Sequence, residues 1–267
     1  MSVRRRQLPV GAVPIDTGTA QLLAEPGGRI TLLVNGVPSS FLDLGDPRWL
    51  EFEYLQQMAE IVQLLAPTGP LTAVHLGAGG CTFPRWIEAV RPGSIQLAVD
   101  IDARLTVLVR EWFDLPRSPR LRLRVGDARA VLEGLADGTA DVVVRDVFAL
   151  DATPPHLCTV EFTEQVRRVL RPGGMYLANC VDRPPLLQAR AEAATAKAVF
   201  DDVALIAEPG QLKGRRHGNL VVAAGGGSEL GSAAIDRALR CLPVPAQLLH
   251  GAQLRAFTAG AAALRDP

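Results

Sequence analysis

The first long apolar run, residues 71–76 (LTAVHL), is continuous rather than alternating, which predicts a strand buried on both faces. Gly77, Ala78, Gly79 and Gly80 follow it, and residues 83–90 can then open a helix. Similar short apolar runs at 95–99, 120–125, 141–144, 175–179, 203–207 and 219–224 predict further strands. Between them, 103–113, 159–170 and 186–200 carry helical spacing. Strands alternating with helices predict a doubly wound, Rossmann-like α/β fold with a mostly parallel seven-stranded sheet. The last two strands are joined too closely for a helical crossover, so one of them is expected to run antiparallel.

Upstream, Leu50, Tyr54, Met58, Ile61 and Leu65 recur at helical spacing, predicting a helix over 48–65 capped by Asp46-Pro47. Before it, runs at 20–24, 30–34 and 37–44 are separated by Pro26-Gly27-Gly28 and Asn35-Gly36, a hairpin pattern that predicts a small antiparallel sheet. Amphipathic stretches at 229–240 and 245–264 predict terminal helices. The expected organisation is a small β domain over 1–45, the main nucleotide-binding domain over 46–228, and C-terminal helices over 229–267 packing on it.

Composition narrows the function classes. The 267 residues are 48% hydrophobic, and 28 basic residues balance 28 acidic ones. That balance gives no electrostatic footprint for nucleic acid. The Arg4–Arg6 run has no apolar stretch behind it, so it reads as a disordered start rather than a signal peptide. No apolar stretch is long enough to span a membrane. Cys81, Cys158, Cys180 and Cys241 form no Cys-x-x-Cys pair, which points to a reducing, cytoplasmic location. His75, His156, His217 and His250 are equally scattered, so no metal site is expected.

Ligands of such sheets bind beyond the carboxyl ends of the strands. Here those ends carry Gly77, Ala78, Gly79 and Gly80, then Asp100, Ile101 and Asp102, then Asp127 and Ala128, then Asp146, Val147 and Phe148, then Asn179. A β-carbon at the tight turn would keep a ligand from the backbone. A carboxylate about 20 residues past the glycines can grip a ribose diol. The pattern Gly-x-Gly-Gly favours a nucleoside without a pyrophosphate, such as S-adenosylmethionine, over NAD. Each acid also has a purely structural use as a strand-end or helix-cap residue. Cys81 lies near a helix start, but a buried small hydrophobe is the simpler reading. His75 reads as a satisfied core histidine.

The order Val74-His75-Leu76-Gly77-Ala78-Gly79-Gly80, Val99-Asp100-Ile101-Asp102, Gly126-Asp127-Ala128-Arg129, Asp146-Val147-Phe148 and Leu170-Arg171-Pro172-Gly173-Gly174 resembles the class I S-adenosylmethionine-dependent fold. Within it, the small N-terminal sheet, the helix carrying Glu53-Tyr54 and the segment 159–162 resemble the spermidine synthase (polyamine aminopropyltransferase) family, over about residues 17–224. The resemblance implies S-adenosylmethionine or its decarboxylated form as co-substrate, without a metal. It puts Gly77, Ala78 and Gly79 against the amino-acid end of the nucleoside and Asp100 on the ribose hydroxyls. Asp102 would support the turn, Asp127 would accept from the adenine amino group, and Ala128 would lie on the ring. Asp146 would face the reacting centre, with Glu53, Tyr54 and His156 toward a small-molecule acceptor. Relatives of this family are often dimers, so a homodimer is open to this chain.

Two departures stand out. The family carries an acid just after the glycines, where this chain has Gly80, and a second acid three residues after Asp146, where it has Ala149. Losing the base that deprotonates an amine is expected to cost about 10²–10⁴-fold in rate. Asp151 is the acid nearby that could substitute. Arg145, His156, Lys213, Arg215, Arg216 and His217 have the wrong charge for a cationic acceptor. Three functions are therefore open: aminopropyl transfer, methyl transfer to an uncharged or anionic small molecule, and a non-catalytic protein that binds a nucleoside or a partner.

Overall fold

A computed structural model describes residues 8–149, 152–225, 227 and 229–267. The Arg4–Arg6 run, Asp151 and Gly226 lie outside the described residues. The chain opens with an antiparallel sheet in the order β1 (Ala12–Ile15), β2 (Gly18–Glu25), β3 (Arg29–Val34), β4 (Val37–Asp43). Asn35 and Gly36 both have positive φ, +53° and +79°, the geometry a two-residue hairpin needs. The strand β1 was not expected. It is short and holds Pro14, which an edge strand tolerates because the missing N–H faces no partner. Ala20, Leu22, Ile30, Leu32 and Leu42 form the buried face of this sheet and pack against Leu105, Leu108, Val109 and Trp112.

The first helix, α1 (Glu53–Leu65), begins five residues later than its apolar spacing predicts. Asp46 does not cap it, because one carboxylate oxygen of Asp46 is engaged by the backbone N–H and the Nε of Arg48. Tyr54, Leu55, Met58, Ile61 and Val62 form its buried stripe.

The main body follows the predicted alternation: β5 (Thr72–Leu76), α2 (Thr82–Val90), β6 (Ile95–Asp100), α3 (Ala103–Phe113), β7 (Leu121–Val125), α4 (Ala128–Glu133), β8 (Ala140–Arg145), α5 (Val160–Val169), β9 (Leu170–Asp182) and α6 (Leu187–Val199). Then come β10 (Val203–Ala207), the short α7 (Pro209–Leu212), β11 (Gly218–Gly225), α8 (Ala233–Arg240), β12 (Gln247–His250) and α9 (Gly251–Phe257). The sheet order is β12-β10-β11-β9-β8-β5-β6-β7. Strands β7, β6, β5, β8 and β9 pair in parallel, while β11 runs antiparallel to β9 and β10. Apolar clusters on both faces of the sheet make three layers, with α4, α5 and α6 on one side and α1, α2 and α8 on the other.

The sheet has eight strands, not seven. Residues 247–250, expected as helix, instead pair antiparallel with the open edge of β10. Pro243 and Pro245 interrupt the helical pattern there, and an unpaired strand edge offers every backbone group of the segment a partner. The Arg171-Pro172-Gly173-Gly174 turn is absorbed as an irregularity in β9, where the pairing jumps from Ala140–Leu170 to Val142–Met175.

Candidate active site

The tip of β5 is built around backbone that admits no side chains. Gly77 has φ +91°, its N–H donates to Val99 O at 2.9 Å, and an added Cβ would stand 2.0 Å from the carbonyl oxygen of Asp146. The Asp100 carboxylate organises the turn. Its Oδ2 accepts from the N–H groups of Ala78 (3.2 Å) and Gly79 (3.1 Å), and its Oδ1 from that of Asp102 (3.0 Å). Burial pushes the Asp100 carboxyl above its usual range against the pull of those three donors. A carboxylate offers about four lone-pair sites, so one remains for a ligand hydroxyl. Ile101 beside it is 64% exposed.

Asp102, in contrast, is buried and serves the protein itself. It caps α3 at Leu105 N (2.6 Å) and accepts from Thr17 N (2.7 Å) and Thr17 Oγ1 (2.8 Å), tying the N-terminal sheet to the main one. Ser40 was not singled out from sequence, yet its Oγ accepts from Gly80 N at 2.8 Å. A Cβ on Gly80 would meet Leu42 Cδ1 and Ser40 Cβ, each at 2.9 Å. Strand β4 therefore stands where an acidic side chain at position 80 would begin. Cys81 is buried with its thiol pushed up to about 12, so the helix start does not activate it. His75 is the expected core histidine: it pairs with Gln96 Oε1 at 3.0 Å, and burial lowers its pKa to about 4.

On the other side of the glycine turn, Asp146 ends β8 half-buried. Tyr54 Oη donates to its Oδ2 at 2.8 Å and Asn179 Nδ2 to its Oδ1 at 3.0 Å. Burial raises the pKa of Asp146 despite these two donors and the charge of Arg145. Burial, then the charge of Asp146, also lifts the Tyr54 phenol well above its ordinary value. The network continues from Asn179 Nδ2 to Asn219 Oδ1 (3.1 Å) and from Asn219 Nδ2 to Glu53 Oε1 (3.3 Å). Asn179 Oδ1 is buried with no hydrogen-bond partner among the described residues. Asn219 carried no signal in the sequence. It meets Asn179 only because β9 and β11 pair with Asn179 opposite Val221 and Asn219 opposite Val181.

Three sequence expectations change. His156 is bonded not to Tyr54 or Asp146 but to Asp127 beyond the tip of β7, with Nε2 2.9 Å from Asp127 Oδ2. Asp127 also caps α4 through Ala130 N at 2.9 Å, and Ala128 is buried behind it. Arg145 is turned away from the site into the opposite layer, where it donates to Leu157 O (3.0 Å), Asn179 O (2.9 Å) and Glu192 Oε2 (2.5 Å). Its charge is paired with Glu192, and Arg216 is likewise paired, with Glu208. Ala149 and Ala152 pair with each other in an isolated antiparallel bridge, and Asp151 lies outside the described residues.

The glycine turn, the acids at successive strand tips and the sheet order define a class I adenosylmethionine-dependent transferase fold. No family model matches the chain. A solved probable spermidine synthase from Corynebacterium glutamicum ATCC 13032 is 39% identical and superposes with a TM-score of 0.91, over 98% of each chain. The chain belongs to the spermidine synthase family. The polyamine aminopropyltransferase of Chromobacterium violaceum is 28% identical over 66% of this chain and 66% of that protein. The eEF1A lysine and N-terminal methyltransferase of Bos taurus is 31% identical over 45% of this chain. Human methyltransferase-like protein 13, solved with SAH, is 26% identical with a TM-score of 0.53, over 70% of this chain and 89% of that one. The chain thus spans 19% of the length of the bovine methyltransferase and just under two thirds of that of the aminopropyltransferase.

Proposed function

We propose that the protein is a spermidine synthase-like alkyltransferase that takes S-adenosylmethionine or its decarboxylated form and passes an aminopropyl or methyl group to a small-molecule acceptor. The observation that carries this reading is Asp146: a half-buried carboxylate beside the glycine turn, whose hydrogen-bond donors among the described residues are the neutral Tyr54 and Asn179. The acceptor attacks a carbon on the sulfonium, the carbon–sulfur bond breaks, and its electron pair leaves on a neutral thioether. The donor arrives activated, so the protein contributes orientation and a base for the acceptor's proton. A carboxyl raised by burial suits that base. Asp100 offers its free lone pair to the ribose, Ile101 an apolar edge to the purine, and Asp127 an acceptor to the purine amino group. Four unpaired cysteines favour the cytoplasm, and no helix among the described residues is long and apolar enough to cross a membrane.

Methyl transfer is favoured over aminopropyl transfer by one feature. Position 80 is a glycine pressed by β4, where a side chain would need Ser40 or Leu42 to shift, so it lacks the acid that the resemblance assigns to the donor's amino group. Incubation with putrescine and each donor, followed by product analysis, separates the readings. Spermidine made at a rate normal for the family contradicts the weight placed on Gly80 and Ala149. A methylated product from the carboxylated donor supports the second reading.

A further inference from the structure

Asp127 is the acid that the donor reading gives to the purine, yet it already has a partner. Its Oδ1 is committed to the N-terminus of α4, and its outward Oδ2 lies 2.9 Å from His156 Nε2. Both side chains are open to solvent, 46% exposed for His156 and 39% for Asp127, so a ligand can reach the pair. The backbone of His156 is clamped from two sides. Arg129 Nη1 donates to His156 O at 3.3 Å, and Arg145 Nη1 donates to the next carbonyl, Leu157 O, at 3.0 Å. Arg129 is itself fixed by Asp266 (2.8 and 2.6 Å) and Glu133 (3.0 Å). The short 3-10 turn Pro155–Leu157 therefore holds an imidazole N–H where a purine 6-amino group would donate.

We propose that His156 is a specificity residue of the nucleoside site, competing with the purine amino group for Asp127. The inference rests on the donor reading given under Proposed function. A neutral imidazole makes an ordinary hydrogen bond to the carboxylate, which an amino group can replace or share. An imidazolium makes a charge-assisted one, which is stronger and harder to displace. Histidine side chains change charge between about pH 5 and 8. The charged groups facing His156 are Asp127 and Arg129 on α4, Asp266 from the C-terminal segment, and Arg145 behind Leu157. Affinity for a 6-amino nucleoside is thus set by the protonation of a residue that does not itself touch the transferred group. A 6-oxo nucleoside has no amino group to lose and does not share this dependence.

The test is titration calorimetry of the full chain with methylthioadenosine at pH 8 and pH 6, for the unaltered protein, His156→Ala and His156→Gln. The proposal expects the unaltered protein to bind about threefold more weakly at pH 6 than at pH 8, because histidine side chains are only partly protonated there. Both variants should bind equally at the two pH values, His156→Gln because it keeps a neutral donor without the charge. Methylthioinosine should bind the unaltered protein with no such loss. Equal affinity at both pH values, or a loss that survives in both variants, overturns the role of His156 and leaves the donor reading intact. No binding of methylthioadenosine at either pH overturns the donor reading and the competition with it.

Discussion

Arg145 and Asp146 are consecutive residues at the end of one strand, and the protein treats their charges in opposite ways. Successive side chains on a strand point to opposite faces, so one residue separates two environments. Arg145 enters the layer of α5 and α6 and finds Glu192, two carbonyl oxygens and the Cys158 thiol. Burial opposes its charge most strongly there, but Glu192 together with Tyr176, Cys158 and Cys180 outweighs burial and holds the guanidinium charged. Asp146 faces the other way and, among the described residues, is bonded by a phenol and an amide. A buried charge with a counter-charge is scaffold; a carboxyl held by neutral groups with a raised pKa is available for proton transfer. The two are joined at Asn179, whose backbone oxygen serves Arg145 and whose amide serves Asp146.

The contrast can be broken at either end. Asp146→Asn should lower the transfer rate by about 10²–10⁴-fold if Asp146 is the base. The same substitution should raise the melting temperature at neutral pH. A carboxyl whose pKa is raised by folding loses stability as pH rises above its unfolded value, so an uncharged isostere gains there. The gain should vanish as the pH falls below the ordinary carboxylate range. Arg145→Ala should behave in the opposite way, costing about 3–5 kcal/mol by stranding Glu192, as measured by denaturant unfolding. The paired change Arg145→Met with Glu192→Leu should cost much less. If the single change costs under about 1 kcal/mol, the pair is not the scaffold described here.

Smaller effects sharpen the picture. Tyr54→Phe removes a donor that favours the charged form of Asp146. The acidic limb of the rate profile should then move up by about one pH unit. Asp102→Ala should cost about 0.5–2 kcal/mol as a lost helix cap, and more if the Thr17 contacts matter, while leaving nucleoside affinity unchanged. A large loss of affinity in that variant would return Asp102 to the ligand site.

What could be read from sequence was local. The strand, glycine turn and helix over 71–90 are set by neighbours in the chain, as are the acids at strand ends. What could not be read depended on distant partners. Strand β12 exists because β10 leaves an edge open, and α1 starts late because Asp46 pairs with Arg48. Asn219 gains its role from strand register. Arg145 looked like a site charge because sequence gives a strand's end but not which face its last residue takes. A helix-cap use is one of the readings the sequence leaves open for Asp102, whereas its bond to Thr17 crosses 85 positions.

The account stands on one site formed where β5, β6, β7 and β8 end together, with Asp146 at its reacting end. A crystal structure of the protein with methylthioadenosine tests this most directly. The account predicts a ribose hydroxyl on the Asp100 carboxylate, the purine amino group near Asp127, and the thioether sulfur on the Asp146 side of Gly77. A nucleoside bound elsewhere, or one whose sulfur points away from Asp146, would contradict it.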